Sequence, residues 1–384
     1  MFRKELEALK ENRLLREIKD RGSAQGARIN IKGRVYINFG SNDYLGLASH
    51  PHVAAGAKDA LEKFGAGAGA SRLLAGGTSL SERLESLLAD FKEAEKALVF
   101  NSGYCMNTGV IPALADEEDA VFSDELNHAS IIDGCRLSKA KKYIYRHSDV
   151  SHLRELLRGT KARKKIIVTD AVFSMDGDIA PIEEICGLCA SGSGDMLLYM
   201  DDAHGTGVLG KGRGTLRHFG IKPEPWIIQM GTMSKAMGSF GAFAAGDGDS
   251  IGWLLNSARS LIFSTALPPS AVGASIAALE VIWKDDKGLV DKLWDNRDKL
   301  MNELAGLGLD TGRSETPIIP LIMKDVESTA GLSDYLYKEG IYAPAIRPPA
   351  VRTPRVRLTV TAAHTEEEIG ILARALHAWR EKTL

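Results

Sequence analysis

Apolar residues in this chain recur in two patterns. Short unbroken runs, bounded by glycine or polar residues, alternate with longer stretches that are apolar every third or fourth position. From Lys96 onward the alternation is regular. KALVF, DAVF, KKYIY, KKIIVT, Met196–Met200 and Trp226–Met230 are the runs, and helical patterns follow Cys105, His128, Asp149 and Pro181. A short, wholly apolar run suits a strand covered on both faces, and strands separated by helices build a parallel sheet with right-handed crossovers. Ahead of this region, residues 2–21 set Leu6, Leu9, Leu14, Leu15 and Ile18 among charges, which predicts an amphipathic helix. A strand at RVYINF and a turn at Asn42-Asp43 come next, and GTSLSERLESLLADF predicts a further helix. A helix from about Ser270 to Trp283 leads into residues 285–384. There IIPLIM, YAPAI and VRLTVT predict strands, and Thr365 with Glu368 forms the capping box of a last helix.

Length and composition narrow the function classes. A chain of 384 residues exceeds one ordinary core and suggests two or three domains. The expected division is an N-terminal helix and arm over 1–48, a large domain over 49–275, and a small C-terminal α/β domain with its linking helix over 276–384. A formal charge of −2 counts against nucleic-acid binding. No apolar run approaches the ~18–20 residues that span a bilayer, so no membrane role is expected. The N-terminus is charged throughout and lacks an apolar signal core, which makes the cytoplasm the expected location. Four cysteines do not make a disulfide framework. Cys186 and Cys189 form a CxxC on a helical pattern with no second pair or nearby histidine, so buried thiols are expected and no metal.

Two of the apolar runs end in residues that can do chemistry. Asp201, Asp202 and His204 follow the first, and Thr232, Ser234 and Lys235 follow the second. Ligands of open α/β sheets bind beyond the carboxyl ends of strands. Pyridoxal phosphate (PLP) needs a lysine for a Schiff base and a carboxylate that keeps its pyridine nitrogen protonated. Taken singly, each signal has an ordinary reading as a helix cap or a solvated lysine. Residues 65–77, GAGAGASRLLAGG, lack the spacing of a dinucleotide fingerprint and follow no strand. KALVFNSGYCMNTG is strand, glycine turn and helix, so Ser102, Gly103 and Tyr104 form a plausible phosphate cup at a helix start. His128 stands at the mouth of a helix, where a structural histidine is the ordinary alternative, and Asp133 reads as a helix residue.

DDAHGTG and GTMSKAMG resemble the aspartate and lysine motifs of the α-oxoamine synthases, PLP enzymes of fold type I. SNDYLGL, SGY, LNHAS, VFSMDGD, STALPP, AIRPP and RVRLTVTAAHT follow in that family's order over nearly the whole chain. The resemblance implies a large domain with a mainly parallel seven-stranded sheet between helices, plus a small C-terminal α/β domain. It implies a decarboxylative condensation of an amino acid with an acyl thioester carried by CoA or acyl carrier protein. In that scheme Lys235 holds PLP and acts as base, Asp201 pairs with the pyridinium, and His204 bonds the phenolic oxygen. His128 stacks on the ring, Ser174 hydrogen-bonds the cofactor, and Thr232 with Ser102, Gly103 and Tyr104 holds phosphate. Thr265 would reach the phosphate of a neighbouring subunit, which implies an obligate homodimer. Asn42 and Arg357 would take the amino-acid carboxylate, Arg16 the distal end of the acyl chain, and Ala350 would line the acyl site.

IRPP, STALPP and GSFGAF resemble most the member that joins L-alanine to a pimeloyl thioester in biotin biosynthesis. LNHASIIDG also occurs in the branch that pairs glycine with acetyl-CoA. A catalytically silent partner subunit of the family would lack Lys235, and a nucleotide-binding α/β protein would have no use for Lys235 with Asp201. Two departures from the pattern stand out. Ser81 replaces a common histidine, and Ala350 replaces a common threonine after RPP.

Overall fold

The computed structural model describes residues 1–192, 194–285 and 287–383. The chain divides into two compact units. One comprises His50–Phe173 and Ile179–Val290; the other comprises Met1–Ser49, Ser174–Asp178 and the chain from Asp291 onward. Among the described residues no helix is long and apolar enough to cross a membrane.

The larger unit is built on a seven-stranded sheet. Across it run Lys96–Phe100, Ala242–Gly246, Ile227–Thr232, Met196–Asp201, Lys165–Asp170, Ala120–Asp124 and Lys141–Tyr145. Ala242–Gly246 alone is antiparallel to its neighbours, so the expected mainly parallel sheet is present. Successive side chains of a strand face opposite sides, and here both sides are buried. Ile166, Val168, Tyr199, Ile228 and Met230 pack against the helices Gly103–Leu114 and Ala129–Leu137. Phe122, Ile167, Leu198, Met200 and Ile227 pack with Leu153, Leu157, Ile182 and Ile185 on the other side. This two-sided burial explains the unbroken apolar runs. Cys186 and Cys189 lie buried in the helix Ile182–Ala190, and burial pushes both thiols up to about 12. The antiparallel strand has no sequence signal, because Ala and Gly dominate AFAAG and neither favours a strand.

The smaller unit holds two three-stranded sheets. Arg28–Ile31 and Arg34–Asn38 form a hairpin flanked in parallel by Ile341–Tyr342. Arg355–Thr359 pairs antiparallel with Ile318–Ile322 and with Ala345–Ile346. YAPAI, expected as one strand, is thus split between sheets, with Pro344, which has no N–H to donate, at the break. The helix expected over residues 2–21 covers only Arg3–Glu11. None of its residues is buried, and a short unsupported helix propagates poorly. It ends where Asn12 Nδ2 donates to Ala8 O at 2.7 Å and Arg13 takes φ 54°. The last helix, Glu366–Thr383, opens with the expected box: Glu368 N–H donates to Thr365 Oγ1 and Thr365 N–H to Glu368 Oε2, at 3.2 and 2.9 Å.

Two buried groups here oppose each other in pH. Burial lowers His364 from 6.5 to about 4, and it raises Asp43 from 3.8 to about 6. His364 therefore contributes stability that is present above pH 6.5 and lost as pH falls toward about 4. Asp43 contributes stability that is present below pH 3.8 and lost as pH rises through about 6. Between those limits the two slopes offset. Asp43→Asn should therefore steepen the loss of thermal midpoint on acidification below pH 6, and His364→Gln should flatten it. Parallel pH profiles for the three proteins would contradict this.

Candidate active site

The carboxyl ends of three neighbouring strands carry the site. The register pairs Asp201 with Asp170 on one side and with Met230 on the other, and Thr232 closes the third strand. Asp201 is only 4% exposed. Its Oδ1 accepts from Ala203 N–H at 3.0 Å and its Oδ2 from Asn107 Nδ2 at 2.8 Å. Burial and the Asp201 charge push Asp170 well above the usual carboxylate range. Asp170 Oδ2 accepts the His128 N–H at 2.6 Å.

His128 caps the helix Ala129–Leu137, accepting Ser130 N–H on Nδ1 at 3.3 Å. Its imidazole is held below its ordinary value, first by burial, with Lys235 acting in the same direction and Asp201 against it. Lys235 and Asp201 thus act on one imidazole, and Lys235 also acts on Asp170. Tyr104 meets His128 edge-on at 6.4 Å between ring centroids, and its hydroxyl is bonded to Asp133.

Lys235 lies half-buried in the loop that joins Ile227–Thr232 to Ala242–Gly246. That loop is closed on itself. Met233 N–H donates to Gly241 O at 2.9 Å, Ser239 N–H to Met233 O at 2.9 Å, and Gly238 N–H to Lys235 O at 2.8 Å. Thr232 Oγ1 donates to Gly241 O at 2.8 Å and accepts Ser234 N–H at 3.2 Å. Ser102 caps the helix Gly103–Leu114 by accepting Cys105 N–H at 3.1 Å. A Cβ at Gly103 would come within 2.7 Å of Met230 Cε, so this helix start packs closely on the strand end and a larger residue would have to displace the methionine tip.

The loop bearing His204, itself buried, is pinned by an ion pair out of reach of water. Lys92 Nζ donates to Asp202 Oδ2 at 2.7 Å, to Arg213 O at 2.9 Å and to Thr206 Oγ1 at 3.3 Å. Asp202 also accepts from Thr215 Oγ1 at 2.5 Å. Both ion-pair side chains are 0% exposed.

In the smaller unit Arg357 and Asn42 meet from positions 315 residues apart. Both Nη1 and Nη2 donate to Asn42 Oδ1 at 3.1 Å, and Nε donates to Ser174 O at 2.5 Å. Arg16 is exposed and donates to Pro348 O at 3.4 Å, beside the turn in which Ala350 N–H bonds Arg347 O at 3.1 Å. Thr265 is exposed and bridges to Ser71 of the glycine-rich segment. Ser81 lies in a capping turn, its hydroxyl 3.3 Å from that of Thr78. Among the described residues no cluster of His, Cys, Asp or Glu could hold a metal.

Asn107, Ser130, Asp170 and Lys92 escaped the sequence reading. The one visible signal was Asn107, a polar residue amid the buried Met106, Val110 and Ile111 of a helix.

The larger unit fits PLP on its donor set. It offers a primary amine on a closed loop, a buried carboxylate fixed by two donors, an imidazole between them in charge, and a capped helix start for phosphate. The chain belongs to the aminotransferase class I and II family, whose model matches residues 34–376. Within that family, the relatives it matches include 8-amino-7-oxononanoate synthases. That of Thermoanaerobacter pseudethanolicus is 46% identical over 379 residues, which are 97% of this chain and 95% of that protein. Solved structures agree. The 8-amino-7-oxononanoate synthase of Francisella tularensis matches with TM-score 0.78 at 25% identity, over 91% of this chain and 99% of that one. A serine palmitoyltransferase of S. paucimobilis, solved with a PLP–myriocin adduct, matches with TM-score 0.92 at 29% identity, over 99% and 96%.

Proposed function

We propose that this chain condenses L-alanine with a pimeloyl thioester, giving 8-amino-7-oxononanoate, carbon dioxide and the free thiol carrier. The observation that supports this reading best is that Asp201 and the loop bearing Lys235 stand at the carboxyl ends of adjacent strands, and that both groups act on the His128 imidazole. When bound, PLP supplies an electron sink for the alanine Cα. Lys235 would hold it through Nζ and, once displaced, take the Cα proton. Asp201, held in place by its two donors, would pair with the protonated ring nitrogen, and His204 would donate to the phenolic oxygen. His128 would cover the ring face. The amides at Gly103 and Tyr104, with Ser102 and Thr232, would hold the phosphate. Ser174 would add a hydrogen bond to the cofactor. Arg357, oriented by Asn42, would bind the alanine carboxylate.

The reaction forms a bond from Cα to the thioester carbonyl and breaks the C–S bond. The alanine carboxylate leaves as carbon dioxide, and a proton returns to Cα. Arg16 would meet the distal carboxylate of the acyl chain, and Ala350 would line its path. In a homodimer Thr265 would serve the partner's phosphate. The protein should release thiol from pimeloyl-CoA or pimeloyl carrier protein with L-alanine, and far more slowly from acetyl-CoA with glycine. The opposite preference would sink the reading.

A further inference from the structure

The larger unit contains a hydrogen-bonded chain that runs from Asp201 through the buried Asn107 and Ser130 to His128 at the surface. Asn107 is 1% exposed and fully engaged. Its Nδ2 donates to Asp201 Oδ2 at 2.8 Å and to Ser130 Oγ at 2.9 Å, and its Oδ1 accepts from Tyr199 OH at 2.5 Å. Ser130 Oγ lies 2.7 Å from His128 Nδ1.

The direction of every bond follows from one end. Both Asp201 oxygens accept, Oδ1 from Ala203 N–H and Oδ2 from Asn107, so the Asn107 amide presents its NH2 group to Asp201. The second N–H of that group then points at Ser130 Oγ, which accepts it. The Ser130 hydroxyl proton is left to donate to His128 Nδ1. Ser130 N–H is directed at the same nitrogen. With two donors aimed at Nδ1, the imidazole carries its proton on Nε2 and is neutral. On the far side Asn107 Oδ1 accepts from the Tyr199 hydroxyl, and a flipped amide would set its oxygen against the Asp201 carboxylate.

We propose that Asn107 and Ser130 are positioning residues that link the Asp201 carboxylate to His128 and fix the imidazole as the Nε2–H tautomer. The role in catalysis rests on the PLP reading above; the tautomer does not. A histidine held this way presents a neutral ring face and a single donor, so it adds no positive charge beside the cofactor.

The test is nitrogen-detected NMR of histidine-labelled holoenzyme, with His128→Gln assigning the His128 signals. Wild type is expected to show a protonated Nε2 and an unprotonated Nδ1 at neutral pH. In Asn107→Leu and Ser130→Ala, His128 should populate the Nδ1–H form or gain a proton at higher pH. In the same variants kcat should fall about tenfold or more while KM for L-alanine changes less than about threefold. Ser130→Thr, which keeps the hydroxyl, should restore both. A protonated Nδ1 in wild type overturns the proposal, and so does an unaltered Nε2–H signal in both variants. Ser130→Ala guards against misfolding of Asn107→Leu. A normal tautomer pattern in a protein that condenses no thioester would instead count against the proposed function alone.

Discussion

Lys235→Ala is expected to abolish the visible absorbance of lysine-bound PLP and to lower condensation by about three orders of magnitude or more. Loss of a positioned proton-transfer group alone typically costs 10²–10⁴-fold, and here the covalent anchor is lost as well. Lys235 is half-buried on a loop closed by three backbone hydrogen bonds, which fixes its place just beyond this strand end. Thermal stability should hardly change, since the side chain is no part of the core. Single-turnover thiol release and the absorption spectrum check this. A variant that kept the band and most of its turnover would remove Lys235 from the chemistry.

The second large effect concerns folding. Lys92 and Asp202 are both 0% exposed, and removing the amine leaves a carboxylate buried without its counter-charge. Breaking such a pair costs about 3–5 kcal/mol, whereas replacing both partners with apolar residues is often close to neutral. Lys92→Met should therefore be strongly destabilised in urea. Lys92→Met combined with Asp202→Leu should recover part of the loss, though not all, because Thr206 and Thr215 also lose their acceptor. Activity should fall in the single variant, since His204 rides two residues beyond Asp202. A double variant no more stable than the single one would refute the ion-pair account.

These two residues differ in how openly the sequence shows them. Lys235 and Asp201 follow apolar runs directly, and a polar residue at a strand end is a visible break in pattern. Lys92 ends the amphipathic helix Ser79–Phe91, where a cation is ordinary, and nothing local tells that its amine is buried beside a residue 110 positions later. Arg357 and Asn42 pose the same difficulty over 315 positions; there the family motifs, not periodicity, carried the pairing. The parallel sheet was legible because two-sided burial leaves unbroken apolar runs. Ala242–Gly246 was hidden because alanine and glycine fill every position but the buried Phe243, which leaves no β-branched run to mark a strand. The N-terminal helix shows the converse failure, a fine amphipathic pattern whose apolar side finds no partner within its own unit.

The single reversed strand has a mechanical meaning. Every other strand of the sheet hands on to a helix, but the segment bearing the amine turns straight back and is stitched to its neighbour from Thr232 opposite Ala242. Both feet of that bend therefore stand on one ladder. A residue added to or removed from 233–241 has no slack helix to absorb it, so the bend behaves as a fixed-length bracket, and changes of length there should be tolerated far less than changes of side chain.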